Sequence, residues 1–460
     1  MDKAKFPTTP LSRLKLFFTF FDSRWEDLTK ENWAKTVYQD FSAGLIVAMT
    51  AIPMAMGFAM AMGMRPEHGI IAGALACVIG RTFGGSKYQV YGPTAAFIPV
   101  IAGLMTKYNP VGLTFESAHG FLVLVSIISG IVLIVMGIFG VGKYAKLVPN
   151  SIIVGFTVGI AVAIAMTNLK DILGLNSYHV LLGDSNSVFI DKLSYMFSHL
   201  NLINGWTILL GVVTFVLAKY LLKISIYIPG PVIAMTTATL LANTVLADKN
   251  ILLVKDLYGS IPNNFFTLQM PYLPEMTGGV FVDIIYFVSA IVFVSGVESV
   301  LCSSMADRLA QNDRTPFNPD KEFFGQGLVQ IITPLVQGFP CTGALARTAT
   351  SIKAGAKTPL AGYFKAILKL TMAYFLAQYL ELVPMACIGG ILVWVASNMI
   401  KPHEIKEVKA HGKFEFAMLV YTAVMVPLTD FLTGVLSALV IYFVVKYAFK
   451  RKRKNKVVLR

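Results

Sequence analysis

Charge is scarce in this sequence: Asp, Glu, Lys and Arg supply 14% of its 460 residues, against about a quarter in a soluble domain. That shortage excludes a soluble chain of about three domains, which length alone would allow. It also excludes intrinsic disorder, which needs low hydrophobicity and high net charge. Cysteine is nearly missing. Cys77, Cys302, Cys341 and Cys387 all fall in apolar stretches, too few to staple a secreted scaffold and best read as small packed hydrophobes. Histidine is sparse as well: His68, His119, His179, His199, His403 and His411 fall in or beside loops with no metal-ligand spacing. No nucleophile stands with a base, so neither an enzyme nor a resident cofactor or metal centre is expected. Residues 1–39 have no continuous apolar core followed by a small-residue cleavage site, which excludes a cleavable signal.

Apolar residues make up 55% of the chain and its mean hydropathy is +0.66, leaving one class, an all-α polytopic membrane protein. A spanning helix needs about 20 apolar residues. Segments near 42–62, 67–84, 118–140, 149–168, 204–222, 226–247, 282–306, 323–337, 359–381, 384–400, 414–429 and 431–449 approach that length. Two more, 90–106 and 339–353, are too interrupted by Gly and Pro for a full helix and too apolar for loops. The expectation is therefore fourteen transmembrane segments. With a cytoplasmic N-terminus, the inner loops then carry fifteen Lys and Arg, among them Lys143, Lys146, Lys219 and Lys223. The outer loops carry six, Arg65, Lys107, Lys170, Lys192, Lys249 and Lys255. This is the positive-inside bias of a chain with both termini in the cytoplasm, as in a bacterial inner membrane. The net charge of +14 accordingly reads as orientation and attraction to anionic lipid, with a basic tail over 450–460, and not as a nucleic-acid surface. In the leading segment 1–41, Leu11, Leu14, Phe17, Phe18 and Phe21 recur at helical spacing beside Arg13 and Lys15, which predicts a helix on the inner membrane surface.

The two interrupted segments resemble each other. One reads Val90-Tyr91-Gly92-Pro93-Thr94-Ala95-Ala96 and the other Gly338-Phe339-Pro340-Cys341-Thr342-Gly343-Ala344, and 248 positions separate Val90 from Gly338. Each predicts a short extended lead-in, a Gly and Pro that forbid continuous helix, then Thr and small residues that start a half-helix. Each is the third segment of a run of seven, and an odd number per half makes the second half inverted, a 7+7 inverted repeat. Paired interrupted segments at matching places in two halves are the sequence mark of a transporter site. A helix that starts partway through the bilayer leaves N–H groups unpaired and carries about half a positive charge there, so two facing starts make an anion site. The expected substrate-binding residues are Thr94, Ala95, Ala96, Gly343, Ala344, Leu345, Ala346 and Arg347. Arg347 is expected on the first turn of the second half-helix, where a charge is expensive and its planar fork suits an oxyanion. The alternative is a structural ion pair with Glu298. Glu298 is a second buried charge, and a bare carboxylate would repel an anion, so a proton, a sodium ion or Arg347 must neutralise it. Ser299 and Cys302 are expected beside it in the coupling-ion site. Pro53 predicts a kink in the first segment, with Phe58 one turn later placed to wall the cavity.

On these residues the sequence resembles the sulfate permease (SulP) family of anion transporters. The resemblance rests on Ala51-Ile52-Pro53-Met54-Ala55, Tyr91-Gly92-Pro93-Thr94-Ala95, Phe324-Gly325-Gln326-Gly327 and Pro340-Cys341-Thr342-Gly343-Ala344-Leu345-Ala346-Arg347-Thr348, followed by Gly355-Ala356-Lys357-Thr358-Pro359-Leu360-Ala361-Gly362. It implies that a core domain, residues 42–148 and 282–381, moves against a gate domain, residues 149–247 and 384–449. It further implies a substrate site between half-helices three and ten with Glu298 beside it, and a homodimer. A cytoplasmic STAS domain usually follows the last segment in this family, whereas here the basic tail does, so regulation through that domain is absent or the domain has been removed. Met54 stands where many members carry glutamine, which removes a hydrogen bond to substrate and favours a small monovalent anion such as bicarbonate.

The expected function is secondary active transport of a small inorganic anion, bicarbonate or sulfate, by alternating access with proton or sodium coupling through Glu298. A nucleobase permease of the same fold and an uncoupled anion exchanger or channel are the alternatives, and a cationic Arg347 favours the anion.

Overall fold

The structure, a computed structural model, describes residues 9–29, 31–108, 115–175, 194, 196–262, 266–429 and 431–458. His179 and Lys192 lie outside the described residues. Helix dominates. The short α1 (Pro10–Phe17) starts on Thr9, whose hydroxyl accepts from Ser12 N at 3.3 Å, with Pro10 where a missing N–H does no harm. Next come α2 (Trp33–Ala61), continuous through Pro53, and α3 (Pro66–Phe83). A two-residue strand β1 (Tyr91–Gly92) leads through the 3-10 turn Ala95–Phe97 into α4 (Ile98–Tyr108) and then α5 (Phe115–Ile138). The middle of the chain forms α6 (Asn150–Leu173), α7 (Gly205–Ile224), α8 (Gly230–Asn243) and the short α9 (Val254–Tyr258). The second half repeats the sequence of events: α10 (Gly278–Ala310), α11 (Pro319–Leu335), a strand β2 (Thr342–Gly343) and α12 (Leu345–Lys353). It ends with α13 (Leu360–Glu381), α14 (Met385–Met399), α15 (Pro402–Ala410), α16 (Lys413–Leu428) and α17 (Phe431–Val458).

Among the described residues, seven helical stretches are long and apolar enough to cross a membrane: α2, most of α5, α6, α7, α10, α13 and the run from Met385 to Ala410. Helices α3, α8, α11 and α16 have 18, 14, 17 and 16 residues. At 1.5 Å per residue they reach about 21–27 Å, short of a hydrocarbon core of about 30 Å. Helix α3 compensates by burial in the middle of the bundle, where nearly all of its side chains are covered. The extended leads Tyr91–Gly92 and Thr342–Gly343 fall on the two interrupted segments, where Gly and Pro deny the backbone a helix.

Packing is pairwise. Helix α2 lies on α13 and α10 on α5; α3 lies on α13 and α11 on α5. Elsewhere α6 contacts α14 and α16, α14 contacts α7, α7 pairs with α8 and α16 with α17. The segment around α1 docks on protein along one side. Phe17 is buried with its ring stacked on Phe324 at 4.8 Å, Phe18 meets the same ring edge-on at 5.5 Å, and Phe20 meets Phe83 at 5.3 Å. Leu11 and Phe21 remain exposed. The guanidinium of Arg24 is buried, donating to the carbonyls of Arg81, Thr82 and Gly84 at the end of α3. His68 and His119, expected in or beside loops, stand near the starts of α3 and α5 and are buried there with ring centroids 5.0 Å apart. Both sit in the first two turns of their helix, a place that looks like a loop edge when only hydropathy is counted.

Candidate functional site

Strands β1 and β2 pair antiparallel, Tyr91 opposite Gly343 and Gly92 opposite Thr342, with Ala344 N donating to Val90 O at 2.9 Å. The pairing satisfies the extended backbone that no helix can satisfy, and it sets the starts of the two half-helices side by side. Neither start is capped by a side chain: the turn entered at Thr94 and the helix entered at Ala344 both lack a capping hydrogen bond. Thr94, the residue type that ordinarily caps a helix, instead donates its hydroxyl to Glu298 Oε2 at 2.9 Å. The first-turn amides of both half-helices thus meet no capping side chain.

Arg347 lies in the first turn of α12 and is only 4% exposed. Its Nη2 donates to Pro93 O, so the second half-helix grips the lead-in of the first. Its Nη1 is buried and has no hydrogen-bond partner among the described residues. Gly92 leaves room for that group: a Cβ there would come within 3.0 Å of Nη1, and the residue's φ of +155° suits glycine. Among the described residues Arg347 forms no ion pair with Glu298, so the structural lock considered for these charges is not what holds them. Glu298 and Leu345 are half-buried and Ala346 is exposed, which marks the side on which the site opens. Thr94, Ala95, Ala96, Gly343 and Ala344 are buried around it. Cys302 is buried with its sulfur 3.3 Å from Thr348 Oγ1, and Thr348 accepts from Val90 N at 2.9 Å. Phe58 is buried in the large apolar core. Ser299 turns to a different carboxylate, donating to Glu322 Oε1 at 2.5 Å.

Glu322 escaped the sequence reading because it falls just before the apolar stretch of its segment. It is fully buried and accepts from Tyr91 Oη at 2.8 Å, Gln89 Nε2 at 2.8 Å, Gly85 N at 2.9 Å and Ser299. Gln89 also donates to Ser299 Oγ at 2.9 Å and accepts from Ser303 at 2.5 Å. The second lead-in is held in parallel fashion. Gln330 bonds both faces of the Cys341 peptide, its Nε2 to the carbonyl at 2.7 Å and its Oε1 to the N–H at 3.2 Å, and Gln326 donates to the same carbonyl. Two more cations went unflagged, Lys365 and Lys369 on α13. Lys365 Nζ donates to Gly73 O and Tyr91 O, both at 2.8 Å, and Lys369 Nζ to Gly69 O at 3.1 Å. Their signal was available, since an ionisable residue within an apolar segment is a functional candidate by default.

Among the described residues, no group of His, Cys, Asp and Glu is arranged to hold a metal centre. The fold and site define an integral, multi-pass membrane transporter. Its sequence agrees: the pattern of the sulfate permease family matches residues 37–422, and the chain belongs to that family. It is 32% identical over 424 residues to the putative sulfate transporter YvdB of Bacillus subtilis, covering 92% of this chain and 75% of that protein. It is 26% identical to the bicarbonate transporter BicA of Picosynechococcus, covering 89% of this chain and 72% of the relative. Among solved structures, the transmembrane domain of a cyanobacterial BicA superposes with a TM-score of 0.73 at 21% identity, covering 88% of this chain and 98% of that one. Murine Slc26a9, an anion transporter in its inward-facing state, gives 0.78 at 17% identity over 97% of this chain and 73% of the other. These relatives are transporters, not enzymes, and the family supports anion transport.

Proposed function

We propose that the protein is a secondary active transporter of a small inorganic anion, bicarbonate or sulfate, that works by alternating access. The observation that carries this reading is the buried, unpartnered Nη1 of Arg347 beside two uncapped half-helix starts. The macrodipoles, the free amides and the guanidinium all favour a negative guest at that point. Glu298 gives the coupling. An ionised carboxylate beside an anion is repulsive, so co-binding of a proton or a sodium ion at Glu298 lowers the free energy of the loaded state. Glu298 and the Thr94 hydroxyl offer a sodium ion two oxygens.

In this reading the fourteen segments form a 7+7 inverted repeat. Its support is the matched packing of the helices: α2 on α13 answers α10 on α5, and α6 on α16 answers α14 on α7. The core, 42–148 with 282–381, moves against the gate, 149–247 with 384–449, in a homodimer with both termini in the cytoplasm of a bacterial inner membrane. The test is uptake into liposomes by purified protein, using labelled bicarbonate and sulfate under imposed proton and sodium gradients. Uptake that rises with one of the two gradients is expected, and Glu298→Gln should remove that dependence. Uptake indifferent to both gradients would make the protein an exchanger or channel.

A further inference from the structure

Lys365 and Lys369 lie outside the anion site itself, and the transport cycle above does not use them. Both are buried, at 1% and 0% exposure, and among the described residues neither forms an ion pair with a carboxylate. An uncompensated buried ammonium is expensive and persists where something repays it. Lys365 reaches the back of the first lead-in, and Lys369 the stretch of α3 that packs against it. Lys365 holds the carbonyl of Tyr91, two residues before the Pro93 carbonyl held by Arg347, so cations from α13 and α12 take alternate carbonyls of one extended strand. Lys369 Nζ lies over Gly73, where any Cβ would overlap it, and Gly73 in turn abuts Gly92 and Pro93. In the second lead-in the ring of His119 lies 3.1 Å from Gly338 O and Gln326 and Gln330 donate to Cys341 O, and among the described residues no lysine takes a carbonyl there. The cationic backing is therefore one-sided.

Resting on the anion-transport reading, we infer that Lys365 and Lys369 are positioning residues that set the charge selectivity of the site. Lys365 holds the lead-in that aims the first half-helix, Lys369 holds the adjoining turn of α3, and the two ammonium groups add to Arg347 in shifting the local balance toward positive charge. When Glu298 takes up its coupling cation, that balance rises by one and is met best by a dianion. The structure thus opposes the preference for monovalent anions that Met54 alone would give. The experiment is equilibrium binding of sulfate and of bicarbonate to purified wild type, Lys365→Met, Lys369→Met and the charge-keeping Lys365→Arg, with thermal unfolding on the same samples. Wild type should bind sulfate more tightly than bicarbonate. Each Met variant should lose sulfate affinity by about tenfold relative to bicarbonate, as expected for one charge removed several ångströms away, with an unfolding temperature unchanged or raised, and Lys365→Arg should keep the wild-type ratio. Equal losses for both anions, or an unchanged ratio, would overturn the inference and leave anion transport standing. Should a Met variant fail to fold, wild type decides alone, and tighter binding of bicarbonate sinks the proposal. Failure of wild type to bind either anion would refute the transport reading itself.

Discussion

Glu298 and Glu322 both serve the strand pair, and their partners separate their roles. Glu322 accepts from a tyrosine hydroxyl, an amide, a serine and a backbone N–H, an inventory that suits an ionised, acceptor-only carboxylate. Glu322→Gln would turn an amide NH2 toward those donors, at a cost of about 1–3 kcal/mol. A lower unfolding temperature is expected, with the cation dependence of uptake intact, and an altered coupling ratio would move the coupling site from Glu298 to Glu322. Among the described residues Glu298 has one side-chain hydrogen-bond partner, Thr94, and it faces the open side of the site, as a group that must gain and lose a cation requires. Arg347 and Glu298 were legible in the sequence because a charge amid apolar residues has no local reason to exist. Glu322, Lys365 and Lys369 obey the same rule. They were passed over because a carboxylate at a segment's edge and lysines spaced one turn apart look like loop or surface residues until the neighbouring carbonyls are known.

At the scale of the element, the stretch before α2 acts as a clamp on the ends of α3 and α11. Asp22 lies between Arg24 and Lys321, 2.8 Å from each, and Lys87 binds Asp27 at 2.5 Å. Arg24 meets the last carbonyls of α3, where a cation is favourable. Arg24→Ala should therefore lower the unfolding temperature by several degrees, because it leaves those carbonyls without their donor and Asp22 with Lys321 alone. Burial alone would raise the Asp22 carboxyl, but Arg24 and Lys321 outweigh it and hold it below its ordinary range. A depressed carboxylate stabilises the fold above its unfolded value of about 3.9 and loses that contribution as pH falls through the lower folded value. The clamp's contribution should stay constant between pH 5 and pH 8 and fade only below about pH 4, as thermal unfolding across pH would register. None of this docking was legible, since Arg24 and Gly84 share no periodicity; hydropathy alone placed Phe17 on lipid, and it is buried against Phe324 instead.

For the molecule as a whole, two features of the sequence foretold most of the architecture: apolar runs of spanning length, and two Gly-Pro interruptions at matching places. The interruptions proved to be strands that pair with each other, because backbone denied a helix inside an apolar bundle must find its hydrogen bonds in other extended backbone. Span boundaries were less legible. Helix α2 begins at Trp33 and α10 at Gly278, beyond the apolar windows, since helices continue into polar surroundings wherever their termini find partners. The central claim is that an anion sits where the two halves meet, and labelling of Ala346→Cys by a charged thiol reagent tests it most directly. Ala346 is exposed at the start of α12, whereas Cys77, Cys302, Cys341 and Cys387 are all buried. Saturating sulfate or bicarbonate should slow the labelling severalfold, and the added Arg347→Ala should abolish that protection. Labelling that runs at the same rate with and without a transported anion would contradict the account.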